Sequence, residues 1–93
     1  MTINTVADIA GGGTTVPIST ASKECRRLWL TAHGSSNARF GDANTASGQG
    51  VELPADVQCV FAASDSDATD TIHLDQAYVY APNGTTVTVA WGS

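Results

Sequence analysis

The sequence predicts a small all-β protein, a β-sandwich or jelly-roll-like barrel of about six to eight short antiparallel strands in a single domain. Three observations support this. Short alternating apolar and polar runs recur between turn signals, no segment of useful length repeats with the helical period, and charged residues make up only 14% of a glycine-rich chain. With 93 residues, the chain is long enough for one domain only.

The chain begins with a segment that predicts an N-terminal arm or edge strand over residues 1–13, followed by the β-sandwich domain over 14–93. Residues 2–9 are rich in β-branched side chains, and three glycines follow at 11–13. Pro17 then places the next extended piece at an edge or a strand end, because proline cannot donate to a strand ladder.

The run CRRLWLTAH at residues 25–33 alternates clearly and predicts a core strand. Its apolar side comprises Leu28, Leu30 and Ala32. The other side carries Arg27 and Trp29, whose side chains can stack on one another and can anchor an interface.

The middle of the chain predicts two further strands and a loop. A turn at 34–37 leads to a return strand at 38–42, and the small polar run 44–50 predicts a loop. Residues 51–54 form a brief extended piece that ends at a proline. Residues 56–63 alternate and predict a central strand, with Cys59 as a small core hydrophobe.

The C-terminal run 74–91 holds two alternating segments on either side of Ala81, Pro82, Asn83 and Gly84, which predicts a β-hairpin. Pro82 is expected at the second turn position, and Gly84 is expected to take a positive φ. One face of this hairpin is apolar and must be covered. The other face is uncharged and carries Tyr78, Tyr80, Thr86 and Thr88.

Tyrosine-rich and threonine-rich faces of this kind are typical of protein contact surfaces. We therefore predict interface residues on two strands. They are Arg27, Trp29, Tyr78, Tyr80, Thr86 and Thr88. The alternative is that tyrosine and threonine are present only because they are good strand formers half exposed to water.

Charge is divided unevenly along the chain. Four basic residues and two acidic residues precede position 41, a net +2, whereas the seven charged residues that follow are all acidic. This asymmetry suits docking in one orientation on a larger surface, and a sequence pI of about 4.5 argues against a nucleic-acid partner.

The motifs of enzymes and metal sites are absent from the sequence. His33 and His73 could be combined with Asp75 or Cys59 on paper, but no nucleophile motif frames them. The acidic loop at 64–71 lacks the central glycine and closing glutamate of an EF-hand. We expect no enzyme activity, no cofactor and no metal.

The cysteine count and the N-terminus bear on the cellular compartment. Two cysteines, Cys25 and Cys59, are too few for a disulfide scaffold and are expected to be reduced, with a single disulfide as the alternative. The residues after Met1 are neither basic nor long and apolar, so we expect no secretory signal and no membrane span.

Several short motifs carry a resemblance to a known group of proteins. In order they read GTTVPIS, CRRLWLTAH, ARFGDANTASGQGVELPA, LDQAYVYA and TVTVAWGS. From Gly13 to Gly92 the chain resembles small β-fold structural proteins of tailed-bacteriophage virions, a group that includes capsid decoration (cement) proteins.

The resemblance implies a capsid decoration protein that is assembled in the host cytoplasm and lies on the capsid exterior of the virion. Such a protein is expected to be a homo-oligomer, a dimer or a trimer. It would bind the major capsid protein and stabilise the head lattice by bridging neighbouring subunits. The alternative is a head-fibre or tail module that binds host-surface carbohydrate, with Trp29 or Trp91 beside Asn83 contacting the sugar.

Overall fold

The computed structural model describes residues 3–63 and 70–92, which form two four-stranded antiparallel sheets and a short two-stranded ladder. The first sheet comprises, in spatial order, β1 (Ile3–Ala10), β10 (Thr85–Gly92), β4 (Arg27–Gly34) and β7 (Gln58–Ala62). The second comprises β2 (Thr14–Pro17), β9 (Tyr78–Ala81), β5 (Ala38–Gly41) and β6 (Val51–Leu53). The ladder joins β3 (Glu24–Cys25) to β8 (Ile72–His73).

This architecture confirms the predicted all-β class and is consistent with a small β-sandwich. Eight strands build the two sheets, and the two further strands are only two residues long each. The residues described contain no helix.

The core lies between the two sheets. It is formed by alternate residues of the strands, whose side chains point toward the opposite sheet. Leu28 and Leu30 of the first sheet and Val79 of the second are completely buried. The rings of Phe40 on β5 and Phe61 on β7 also meet across the core, with their centroids 4.5 Å apart. Burial of these side chains supplies the main stabilisation, because a domain of this size has few other sources.

The predicted C-terminal hairpin is wrong. β9 pairs with β2 and β5, whereas β10 pairs with β1 and β4, so consecutive strands lie in opposite sheets. The turn itself forms: the Thr85 N–H donates to the Pro82 carbonyl over 3.1 Å, and Gly84 has the expected positive φ of 85°. Pro82 is therefore the first turn residue and not the second.

The connection between β9 and β10 is an arch between the sheets, packed against two glycines. A Cβ atom on Gly11 would overlap the carbonyl oxygens of Pro82 and Thr85. A Cβ atom on Gly34 would overlap the carbonyl of Gly84, and Gly34 also has a φ of 140°. The ends of β1 and β4 therefore lie against the arch, at positions that only glycine can occupy. The sequence of the turn alone does not predict these contacts.

Of the other strand predictions, some are correct and some are wrong. CRRLWLTAH does form an inner strand, β4, and Pro17 does lie on an edge strand, β2. The return strand β5 also lies in the other sheet from β4, and it pairs with β6 and β9. The strand predicted as central, residues 56–63, is the edge strand β7.

The N-terminal residues predicted as an arm or edge strand belong to the same sandwich, since β1 pairs with β10 along its length. A bulge interrupts the pairing, because Val6 faces Val89 and Ile9 faces Val87. Ala7 and Asp8 thus stand opposite the single residue Thr88.

Both cysteines are free thiols. Cys25 is buried in the core, and this burial raises the pKa of its thiol by desolvation. Cys59 is only partly buried, on the edge strand β7. Its predicted place in the core is therefore correct only in part.

Candidate functional site

The outer face of the first sheet holds a row of residues around Trp29. Leu28 and Leu30, its neighbours on β4, are completely buried, so the alternation of the strand directs Trp29 outward. On either side of Trp29 stand Ala90 of β10 and Val60 of β7, and Thr5 of β1 lies beyond Ala90. Ala90 is small, and Trp29 is only partly buried.

A second row lies two residues further along the strands and consists of polar residues. Thr88, Thr31 and Gln58 are in register across β10, β4 and β7. On β1 the bulge brings Asp8 to the end of this row, in keeping with the use of bulges to redirect side chains at binding sites. The two rows are about 7 Å apart along the strands.

An open groove of about 350 Å³ lies along the two rows and crosses all four strands. Its polar and aromatic lining comprises Thr5, Asp8, Trp29, Thr31, Gln58 and Thr88. Asp8 is the only charged side chain in the lining formed by the described residues. The site therefore combines one flat aromatic ring with hydroxyl and amide groups that both donate and accept hydrogen bonds.

The predicted interface residues do not share one surface. Arg27, Trp29, Thr86 and Thr88 lie on the outer face of the first sheet, where Thr86 is in register with His33. Tyr78 and Tyr80 lie on the outer face of the second sheet, on the opposite side of the sandwich. The single face predicted for Tyr78, Tyr80, Thr86 and Thr88 is wrong because their two strands are in different sheets.

The outer face around the tyrosines is partly covered by the protein's own loop at 42–50. The Thr15 hydroxyl donates to the carbonyl of Thr45, and Arg39 donates to the carbonyl of Gly50 over 3.1 Å. Thr45 is buried and packs so closely over Gly41 that a Cβ there would lie 2.7 Å from its hydroxyl. Since Gly41 is on β5 and Thr15 is on β2, the loop crosses the outer face of β9 between them.

A Thr–His–Asp arrangement lies at one end of the first sheet. His33 Nδ1 is 3.5 Å from the carboxylate of Asp56, and His33 Nε2 is 3.4 Å from the hydroxyl of Thr88. The hydroxyl of Thr88 also lies 3.4 Å from the carbonyl of Thr31, to which it can donate. His33 and Asp56 are both well exposed, so water screens their interaction, and the geometry gives the hydroxyl no activation of the kind a nucleophile needs.

His73 pairs with a residue that the sequence analysis did not combine with it. His73 Nδ1 lies 3.4 Å from the carboxylate of Glu24, which also accepts from the hydroxyl of Thr71. All three groups are near the surface, and the contact joins the two strands of the β3–β8 ladder. It is a structural pair at the end of the sandwich.

The carbohydrate-binding set expected from the sequence is not assembled. Trp29 faces outward, whereas Trp91 packs against the core from the inner face of the same sheet. Asn83 is in the arch, beyond the far end of β10 from Trp29. The groove instead surrounds Trp29 with residues of other strands.

β6 and β7 each end their sheet, and among the described residues no strand pairs with their outer edges, which together we call the β6–β7 seam. Of the four large hydrophobic residues that are exposed in the described ranges, three lie at these strands: Val51 on β6, Val60 on β7 and Val57 just before β7. Each is slightly more than 50% exposed. Exposed apolar side chains beside edge strands can accept an extended segment of a partner.

Metal and membrane sites receive no support from the described residues. Across 3–63 and 70–92 no three His, Cys, Asp or Glu side chains converge as metal ligands. Most of the acidic loop at 64–71, including Asp65 and Asp67, lies outside the described residues. The same ranges contain no helix with the length and hydropathy needed to cross a membrane.

Comparisons with known proteins add nothing to these observations: no protein-family model matches the chain, and neither a curated protein nor a solved structure matches it significantly. The resemblance to virion proteins therefore depends on the short motifs alone.

The predicted interface residues include only Trp29 and Thr88 of the groove lining. The seven residues missed are Thr5, Val6, Asp8, Thr31, Gln58, Val89 and Ala90. They come from four strands, and only the register of β1, β10, β4 and β7 brings them around the groove. A partial signal was present in the alternation of β4, which predicted correctly that Trp29 faces away from the core.

Proposed function

We propose that this protein is a non-enzymatic decoration protein of a bacteriophage capsid, which binds the outer surface of the head lattice and bridges neighbouring major capsid subunits. The observation that carries the proposal is the β6–β7 seam, where Val51, Val57 and Val60 are exposed beside two strand edges with which no other described strand pairs. The motif resemblance points to the same class of protein.

The chemistry of the seam suits binding to another protein. Apolar side chains lose unfavourable contact with water when a partner covers them, and an open strand edge offers backbone hydrogen bonds to an added strand. Each contact would be small, but a head lattice presents the same partner surface many times, so weak contacts sum through multivalency.

The opposite side of the sandwich suits self-association. β1 is eight residues long and ends the first sheet, and no strand of the described residues pairs with its edge away from β10. Ile3, near its start, is 66% exposed. We propose a homo-oligomer through this edge, which would leave the seam available for the capsid. The solution mass measured by sedimentation tests the oligomer directly.

The capsid proposal is tested with purified expanded heads that lack the protein. Added wild-type protein is expected to bind saturably and to raise the temperature of head rupture. The double variant Val51→Glu, Val57→Lys is expected to bind at least tenfold more weakly, because it places charges in the contact. Val60 is left unchanged because it also stands beside Trp29. The matched control is Ala21→Glu, Gln76→Lys, which places the same two charges at exposed positions outside the seam and outside the β1 edge.

Two outcomes would contradict the proposal. Equal rupture with and without added protein, and no saturable binding, would exclude a decoration function. Equal loss of binding in the seam variant and in Ala21→Glu, Gln76→Lys would show that the contact does not lie at the seam.

A further inference from the structure

We propose that the groove on the outer face of the first sheet is a binding site for a neutral saccharide. The proposal is tested separately from capsid binding, because the seam variant changes only Val51 and Val57, whereas Val60 stands beside both the seam and Trp29.

The first row provides a stacking platform. Sugar rings present faces of C–H groups, which pack against the flat surface of an indole. Trp29 faces outward and is only partly buried. Its cross-strand neighbours are the small Ala90 on β10 and Val60 on β7.

The second row provides hydrogen bonds at a suitable distance. Thr88, Thr31 and Gln58 are consecutive across three strands, about 7 Å from the first row, so a ring stacked on Trp29 directs its hydroxyl groups at them. Hydroxyl and amide side chains both donate and accept, and sugar hydroxyl groups do the same.

The bulge in β1 completes the site. It places Asp8, a strong hydrogen-bond acceptor, at the end of the polar row opposite Thr88. Paired sugar hydroxyl groups can both donate to one carboxylate. Regular pairing of β1 would not have placed two residues opposite Thr88, so the bulge serves the groove as well as the bend of the strand.

The lining also selects against other ligand classes. An anionic sugar or a phosphate would meet Asp8 and no basic side chain among the described lining residues. A purely apolar ligand would leave the polar row without hydrogen-bond partners. A quaternary ammonium ligand would use Asp8 and Trp29 but none of the donors in the threonine and glutamine row. A volume of about 350 Å³ lies at the small end of the range for ligand sites, which fits one or two sugar rings.

The test is an NMR titration of the isotope-labelled whole protein. The probes are neutral oligosaccharides built on glucose, galactose, mannose and N-acetylglucosamine, with sialyllactose and choline as charged comparisons. At least one neutral oligosaccharide is expected to shift the indole N–H signal of Trp29 saturably. The affected backbone signals should include Thr31, Thr88 and Gln58.

Variants distinguish this site from any other surface. Trp29→Ala is expected to weaken binding about tenfold or more, since stacking on an aromatic ring contributes on that scale. Ala90→Leu fills the space beside the indole and is expected to weaken binding similarly without removing the tryptophan. Trp91→Phe and Tyr80→Ala change aromatic residues outside the groove and should leave the affinity unchanged.

Three results would overturn the proposal. They are the absence of a saturable shift with every neutral saccharide, a response to choline or sialyllactose alone, and signal changes confined to the second sheet. If Trp29→Ala lost sugar binding but still bound capsids normally, the sugar site and the capsid site would be shown to be independent. If the seam variant bound heads as tightly as wild type, only the capsid proposal would be contradicted.

Discussion

The outer faces of the two sheets begin from similar alternating strands but end in different states. The outer face of the second sheet is crossed by its own loop, with Thr45 buried over Gly41 and the carbonyl groups of Thr45 and Gly50 accepting from Thr15 and Arg39. The outer face of the first sheet has no such cover among the described residues and contains the groove around Trp29.

The difference shows that aromatic and threonine content does not identify an interaction surface. Tyr78 and Tyr80 looked as suitable as Trp29 in the sequence, yet part of their surroundings is already occupied by the chain itself. Where the polar groups of a face are satisfied internally, a partner gains little by binding there. The groove and the seam, whose polar or apolar groups still face water, are the better sites.

The largest expected effect concerns the arch that sends β9 and β10 to different sheets. Gly34→Ala should lower the free energy of unfolding by about 3 kcal/mol, because a Cβ would meet the backbone of Gly84 and Thr85 at an unfavourable φ. Urea unfolding followed by circular dichroism measures this. The matched control is Gly12→Ala, where a Cβ has no neighbour within 4 Å. If both variants were equally stable, the separation of the two strands by the arch would be in doubt.

An intermediate effect is expected where the loop closes over the second sheet. Gly50 has a φ of 119°, and a Cβ there would lie 3.0 Å from the carbonyl oxygen of Phe40 and 3.1 Å from Thr45 Cγ2. Gly50→Ala should therefore destabilise the protein by about 2 kcal/mol. Gly48→Ala, in the same loop, has open space around it and should change stability by less than about 0.5 kcal/mol. A neutral Gly50→Ala would mean that the loop is not held on the sheet.

The smallest changes in stability are expected for two threonine substitutions, one in the loop over the second sheet and one on the outer face of the first sheet. Thr45 is buried and its hydroxyl donates to the Asp42 carbonyl over 2.6 Å, so Thr45→Val should cost about 1 kcal/mol. Thr88 is only partly buried and its contacts are 3.4 Å long, so Thr88→Val should lie within about 0.5 kcal/mol of wild type. Unfolding midpoints in the same buffer give both values. Reversal of the order would mean that the groove face, and not the loop face, is the one satisfied internally.

Much of the local structure could be predicted from the sequence. The alternation of CRRLWLTAH correctly assigned Leu28 and Leu30 to the core and Trp29 to the outside. The alternation of the C-terminal run likewise assigned Val79 and Val87 to the core. Gly84 takes the positive φ that its turn required. These features follow from period-two geometry and backbone sterics, which act within a few residues.

By itself, then, the sequence determined the all-β class, the inward and outward faces of the main strands and the places where the chain turns. Only the tertiary structure decided which strands are neighbours. A strand with one apolar face can satisfy it by pairing within a sheet or by facing another sheet across the core, and the local pattern is the same in both cases. Four features depend on contacts between distant residues: the arch at Pro82, the edge position of β7, the bulge that brings Asp8 to the row of Thr88, and the loop over the outer face of β9.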